Sequence, residues 1–299
     1  MSFNHHNHRQ ITCSETSAQF LGRKIIASFK MQTGKLIHIG AILILFVLLT
    51  PSAVLSYTVL WDTSHGVYVS GTFGGDGYQP SQNGYYRTLA EHLGNNNFTV
   101  DTTSQGFLTD DPGSYDVIVV CLTSAFYSSY TTAEVDRIVD FVNDGGGLLI
   151  MGDLLVAPNA NIQPVASEFG ITLALSDVLP YDILTAGHTD HPIFDGVDEI
   201  FMYAAAELSA QSPAFPVAWQ EVTEKDIAAV AQYGQGRVVA LGDSTLWSWV
   251  NIYEERFYTA DNPQFAVSTF NYLAVPEPVT LLLLGLGAAL LRKKRPRKP

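Results

Sequence analysis

The chain has 299 residues, 47% hydrophobic and 15% charged, with a formal net charge of −13, which is room for one large domain or two small ones. Of its 29 acidic side chains, 27 fall between Tyr57 and Ala274, where the only basic residues are Arg87, Arg137, Lys225, Arg237 and Arg256. A body this acidic repels phosphate, which excludes nucleic acid as a partner. The acidity suits either solubility outside the cell or a surface that gathers calcium.

Residues 1–30 are polar, carry His5, His6 and His8, and show no pattern; they read as a non-native or disordered extension. Met31 opens a better beginning, with Lys35, an apolar stretch from Leu36 to Leu49 and a small-residue exit from Pro51 to Ser56. By form, 31–56 is a secretory signal peptide whose cleavage would release Tyr57. Removal of that segment takes Cys13 away, and Cys121, inside the apolar run VIVVCL, is left without an intrachain partner. Apolar surroundings raise a thiol's pKa, so a buried structural role is expected for it rather than a nucleophilic one.

Thr58 to Trp61 reads as a strand ending at Asp62-Thr63-Ser64-His65-Gly66. The glycine-rich loop at 70–84 is long enough to be functional, but it lacks P-loop spacing and gives nucleotide binding little support. A helix is expected over Tyr85–Leu93, ended by Gly94, then strands at Phe98–Thr102 and Tyr115–Leu122. Thr131 and Glu134 form a capping box, and Val135, Ile138, Val139 and Val142 recur along one helix face. Gly145, Gly146 and Gly147 stop that helix. Leu148–Met151 is apolar on both faces, as a strand between two helix layers requires, and it ends at Gly152-Asp153.

A short helix is expected over Ile162–Phe169, a strand over Ile171–Leu175, and a loop from His188 to Phe194. Strands follow at Ile200–Ala204, Pro216–Gln220 and Ala228–Tyr233. Gly236 to Ser244 repeats the earlier pattern of glycine, apolar strand and Gly-Asp, and a helix over Pro263–Leu273 closes the body. The alternation of strands and helices predicts an α/β domain over 57–273 with an open, mainly parallel sheet and helices on both faces, flavodoxin-like in type.

With LWDTSHG (60–66), the helix and GGGLLIMGD block (134–153), DHPIFDGV (190–197) and GRVVALGDS (236–244) in this order, the body resembles the class I glutamine amidotransferase-like superfamily. More narrowly, it is similar to the bacterial branch that also resembles the N-terminal domain of an intraflagellar-transport protein. In the enzymes of that superfamily a nucleophilic cysteine follows the strand matching Leu148–Met151; here the turn reads Gly152-Asp153-Leu154, and aspartate cannot form the thioester. His188 and His191 do not provide the superfamily's His-x-Glu arrangement either. The resemblance therefore implies a domain without glutamine hydrolysis.

Val275 onward, Pro276-Glu277-Pro278 leads into LLLLGLGAALL (281–291) and then RKKRPRK (292–298). This resembles the PEP-CTERM sorting signal, which implies an inner-membrane exosortase, export from a Gram-negative cell with transient anchoring in the inner membrane, a surface or extracellular destination and an exopolysaccharide setting. Residues 275–291 would rise about 25 Å as a helix, slightly short of a bilayer core of about 30 Å, and the basic end would stay cytoplasmic. A permanent C-terminal anchor is the alternative, so hydrophobic helices are expected at both ends of the chain.

Asp62, His65, Asp153, Asp243 and Ser244 each follow an expected strand, so the fold should bring them to one rim where ligands bind. As a ligand site they would suit calcium; as structural residues, Asp153 and Asp243 would cap helices or hold turns. A hydrolase acting on glycan or peptide through His65, Asp153 and Asp243 is the catalytic alternative. His188 and His191 are expected as turn residues rather than zinc ligands. Trp247, Trp249, Tyr253, Phe257 and Tyr258 would either face a sugar or pack the core. The expected function is non-catalytic binding of polysaccharide or protein.

Overall fold

The computed structural model describes residues 56–69, 74–124, 129–154, 156–177, 183–185, 187–248 and 256–274. Both expected terminal hydrophobic segments and the sorting triplet lie outside these residues. Among the described residues, no helix is long and apolar enough to cross a membrane.

Among the described residues, twelve strands and four α-helices run in the order β1 (Tyr57–Asp62), α1 (Arg87–Asn95), β2 (Phe98–Thr103), β3 (Val117–Val120), α2 (Thr132–Asn143), β4 (Gly147–Met151), α3 (Val156–Glu168), β5 (Ile171–Asp177), β6 (Ile183–Thr185), β7 (Gly187–His188), β8 (Ile200–Met202), β9 (Ala206–Ala210), β10 (Ala214–Trp219), β11 (Asp226–Tyr233), β12 (Gly236–Leu241) and α4 (Asn262–Ala274). Eight strands form one sheet in the order β2-β1-β3-β4-β12-β11-β10-β7. The first five pair in parallel, which is the flavodoxin-like order. The next three pair antiparallel. The sheet is therefore mixed, not mainly parallel as expected. β11 and β12 are separated by the tight turn at Gly234 (φ 57°), and a connection this short can only join antiparallel strands.

Alternate residues of each central strand serve opposite layers. Val59, Val119, Leu149 and Val239 pack with Leu89 of α1 and Phe265 and Phe270 of α4. Leu60, Ile118, Leu148 and Val238 pack with Ile138 and Val142 of α2 and Ile162 and Val165 of α3. Helices thus cover both faces, as the continuous apolar strands required.

α2 begins with the expected capping box: Thr131 accepts from the Glu134 backbone N–H, and Glu134 accepts from the Thr131 backbone N–H. Gly145 (φ 116°) ends the turn that leads into β4. Elsewhere the boundaries differ from expectation. α1 passes through Gly94, and the left-handed residue after it is Asn97 (φ 67°), since asparagine tolerates that conformation well. α3 starts six residues before the expected Ile162. β5 and β9 form a separate pair, as do β6 and β8, so Ile171–Leu175 and Ile200–Ala204 are not part of the main sheet. His188 lies in the two-residue edge strand β7, paired to Ala218, rather than in a loop.

β12 enters beside β4 through a backbone contact that only glycine permits. A Cβ on Gly236 would lie 2.1 Å from the Val142 carbonyl oxygen and 2.3 Å from that of Gly146. Gly236→Ala is expected to destabilise the protein by about 1–3 kcal/mol, the usual range for overpacking, as read from the midpoint of urea unfolding.

Candidate functional site

The carboxyl ends of β1, β3, β4 and β12, neighbours in the sheet, deliver Asp62, Cys121, Asp153 and the Asp243-Ser244 pair to one rim. The side chains sort into two hydrogen-bonded groups.

The first is centred on β4 and β12. Asp153 is 3% exposed and Asp243 fully buried. Both oxygens of Asp153 are engaged: Oδ1 accepts from the Leu154 N–H at 2.7 Å, and Oδ2 accepts from the Ser244 hydroxyl. The Asp153 backbone is clamped by Asn159, whose Oδ1 accepts from its N–H at 3.0 Å and whose Nδ2 donates to its carbonyl at 2.5 Å. Asp243 accepts more: Oδ2 takes the N–H groups of Tyr203 (2.5 Å) and Ala204 (3.3 Å), and Oδ1 takes both the N–H and the hydroxyl of Thr245 at 2.6 Å. Tyr86 donates to the Ser244 carbonyl at 2.5 Å and lies 3.5 Å from the Cys121 sulfur.

Burial pushes both carboxyls up, and each raises the other's cost of ionising. Asp153 is pushed up to about 8, by burial first and then by the charge of Asp243, against the hydrogen bonds from Ser244 and Leu154. Burial also raises Asp243, but the bonds from Thr245 and Tyr203 and the nearby Arg256 favour its ionised form. Asp153 accepts fewer bonds than Asp243, so it is the member of the pair more easily held neutral. Burial likewise raises Tyr78 and Tyr86 and pushes the Cys121 thiol up to about 12, so Cys121 is a buried thiol and not a nucleophile at neutral pH.

The second group surrounds the end of β1. Asp62 Oδ1 accepts from the Ser64 N–H at 2.9 Å, and Oδ2 from the Tyr130 hydroxyl. The His65 ring stacks on Tyr130 with centroids 4.0 Å apart, and its Nε2 lies 3.0 Å from Glu134 Oε1. Burial pushes the Glu134 carboxyl up, but hydrogen bonds from Thr131 and from His65 outweigh this and hold it below its ordinary value. Glu134 therefore caps α2 and orients His65 at once.

All five expected residues reach the rim, yet Asp62 and Asp153 spend their oxygens on different partners. Tyr86, Tyr130, Asn159 and Arg256 complete the two groups, and sequence reasoning did not single them out for the site. Only Glu134 carried a signal, through the capping box. Among the described residues, no group of three or more His, Cys, Asp or Glu side chains is placed to hold a metal ion. His188 stacks on Phe194 at 4.3 Å, and His191 Nδ1 accepts from the Ile193 N–H at the start of a 3-10 turn. Trp247 and Phe257 are fully buried in the core and Tyr258 is 56% exposed, while Trp249 and Tyr253 lie outside the described residues.

The turn after β4 also differs from a strained nucleophile elbow. The non-glycine residues with positive φ among those described are Asn97, Glu224 and Ala260, none of them near Asp153.

The mmIFT52 N-terminal domain matches 74% of this chain and 99% of its own length, with a TM-score of 0.58 and 15% identity. Two cytoplasmic proteins of Salmonella typhimurium, STM3548 and STM1381, match 73% and 72% of this chain and 99% of their own, each with a TM-score of 0.51 and 16% identity. At such identities the likeness establishes the fold alone. No protein-family model matches the sequence, and no curated protein matches it significantly.

Because folding raises the Asp153 pKa from 3.8 to about 8, this group binds more proton in the folded than in the unfolded state across that window. Its contribution to stability therefore falls as pH rises from about 4 to about 8. Asp153→Asn is expected to flatten this slope and to be more stable than the wild type at pH 8, measured by urea unfolding across pH. Tyr130→Phe leaves Asp62 Oδ2 without its donor and is expected to cost about 1–3 kcal/mol, by the same measurement.

Proposed function

We propose that the body of this chain is a non-catalytic binding domain, exported from the cell and displayed at its surface or in the surrounding matrix, where it holds polysaccharide or protein. The observation that carries this reading is the state of Asp153. By the sequence resemblance it stands where the amidotransferase enzymes place their nucleophile, but it is buried, its pKa is pushed up by that burial to about 8, and its oxygens are bonded to Ser244 and Leu154. A neutral carboxyl group has little nucleophilicity, and the aspartate beside it has its oxygens engaged by the Tyr203, Ala204 and Thr245 donors.

The export route in this reading comes from the sequence. Pro276-Glu277-Pro278, the apolar run after it and the basic end form the signal for an exosortase in the inner membrane. The mature protein then leaves the membrane for the outside. Calcium remains a candidate ligand of the acidic surface, tested by a rise in melting temperature on its addition.

A hydrolase acting on glycan or peptide is the second reading, and one observation favours it. A carboxyl group held neutral near pH 7 can act as a general acid, and Asp153 meets that requirement. The purified full-length protein separates the two. The binding reading expects no ammonia release from glutamine and no cleavage of aryl glycosides or peptide substrates. Turnover abolished by Asp153→Asn would establish the hydrolase instead. For the sorting signal, Glu277→Ala is expected to leave the unprocessed precursor in the inner-membrane fraction of an exosortase-bearing cell, while the wild-type chain is shortened and released; equal processing of both would contradict that assignment.

A further inference from the structure

A loop from Gly74 to Gly84, just before α1, sends one side chain into the rim. Gly74, Gly75, Asp76, Gln82 and Asn83 are exposed, whereas Tyr78 is only 4% exposed. Its phenol group is within hydrogen-bond reach of the Ser244 side chain and close to Asp153, Asp243 and Cys121. The ring meets Tyr85 edge to face at 4.8 Å, Tyr86 at 5.7 Å and Tyr68 at 6.0 Å. Tyr78 therefore stands beyond the carboxyl ends of β4 and β12, where a sheet of this strand order binds ligands.

The loop is bonded mostly to itself. The Asp76 N–H donates to the Asn83 carbonyl at 3.1 Å, the Gly84 N–H to the Ser81 carbonyl at 2.9 Å, and the Tyr85 N–H to the Gly77 carbonyl at 2.8 Å. The Ser81 hydroxyl and the Gln79 amide both donate back to Asp76, each at 2.8 Å. Among the described residues, one backbone bond joins the loop to the preceding segment, from the Tyr78 N–H to the Tyr68 carbonyl at 3.1 Å. On the other side the loop runs into α1, where the Tyr86 N–H donates to the Gln79 carbonyl at 3.2 Å. Gly74 and Gly75 have φ of 65° and 74°, a conformation that glycine enters and leaves at little cost. Lifting Tyr78 out of the rim costs the Tyr68 bond and one side chain's contacts, while the bonds within the loop can stay closed. Compact loops packed on themselves can open as units, at a free energy below that of global unfolding.

We propose that the Gly74–Gly84 loop is a displaceable plug, and that access to Asp153 and Ser244 requires the withdrawal of Tyr78. This goes beyond the binding reading, because it concerns how the rim opens and holds for whatever enters. Other large side chains of this layer, such as Trp61, Leu149 and Phe270, are carried by strands and helices. Tyr78 instead comes from a loop that closes on itself and begins with two glycines. Its withdrawal would uncover Ser244 and Asp153 and remove a ring lying close to Cys121, which is 4% exposed with the plug seated. Cys121 is therefore a built-in reporter of the opening.

The test is the labelling of Cys121 by the disulfide reagent DTNB in the full-length protein carrying Cys13→Ser, where it is the single thiol. The rate is followed across urea concentrations below the unfolding transition. A plug predicts labelling at least about tenfold faster than the global unfolding equilibrium allows. The rate should also be nearly constant with urea, since a local opening exposes little surface. Tyr78→Ala should speed labelling about tenfold or more, the scale expected when a buried aromatic ring is truncated. Ile138→Val, on the opposite face of the sheet, lowers global stability and should leave the labelling rate unchanged. Wild-type labelling no faster than global unfolding overturns the proposal, as does Ile138→Val speeding it in proportion to the stability lost. Neither result touches the binding reading, which fails on a different measurement, the appearance of turnover.

Discussion

The pairing of β4 with β12 is the constraint on which the rest of the site depends. Val238 to Leu241 run beside Leu148 to Met151 in parallel register, and both strands end in Gly-Asp. Two aspartates therefore emerge side by side from the apolar centre of the sheet. Two like charges in such a place cost several kcal/mol unless one of them takes a proton. Burial raises both carboxyls, and the N–H and hydroxyl donors around Asp243 favour its ionised form, so the neutral form falls more readily to Asp153. Ser244 and Asn159 then fix Asp153 in position, and Tyr86 closes over Ser244.

That arrangement connects the fold to the proposed function. A parallel sheet with this strand order places its ligand-binding crevice beyond the carboxyl ends of the strands, and among the described residues there Asp62, Asp153 and Asp243 are bonded within the protein while the buried Ser64 hydroxyl has no partner. The polar atoms an enzyme would direct at a substrate are directed at the protein's own backbone: Asp243 at residues 203–204 and 245, Asp62 at Ser64, Asn159 at Asp153.

Much of the parallel half was legible in the sequence, because its signals are local. The Thr131–Glu134 capping box, the stripe of α2, the glycines before β4 and the repeated Gly-Asp ends each depend on residues within one or two turns of each other. The antiparallel half was less so. β9 is a five-residue strand flanked by alanines, and β5 and β8 carry apolar runs that look the same whether they join the main sheet or a side pair. The site was legible in its aspartates and His65, which follow strands, but not in its partners. Tyr130 reaches Asp62 across 68 positions and Tyr86 reaches Ser244 across 158. No spacing rule links residues so far apart, and only the closed fold reveals the pairs.

The central claim is that Asp153 is a neutral, structural carboxyl group rather than a charged or reactive one. Carbon-13 NMR of the protein labelled at its aspartate carboxyls tests this most directly. The account predicts one resonance, absent from Asp153→Asn, that stays in the protonated range at pH 6 and titrates near pH 8. An Asp153 resonance already in the ionised range at pH 5 would contradict it, and would make the rim a charged site of the kind that a cation requires.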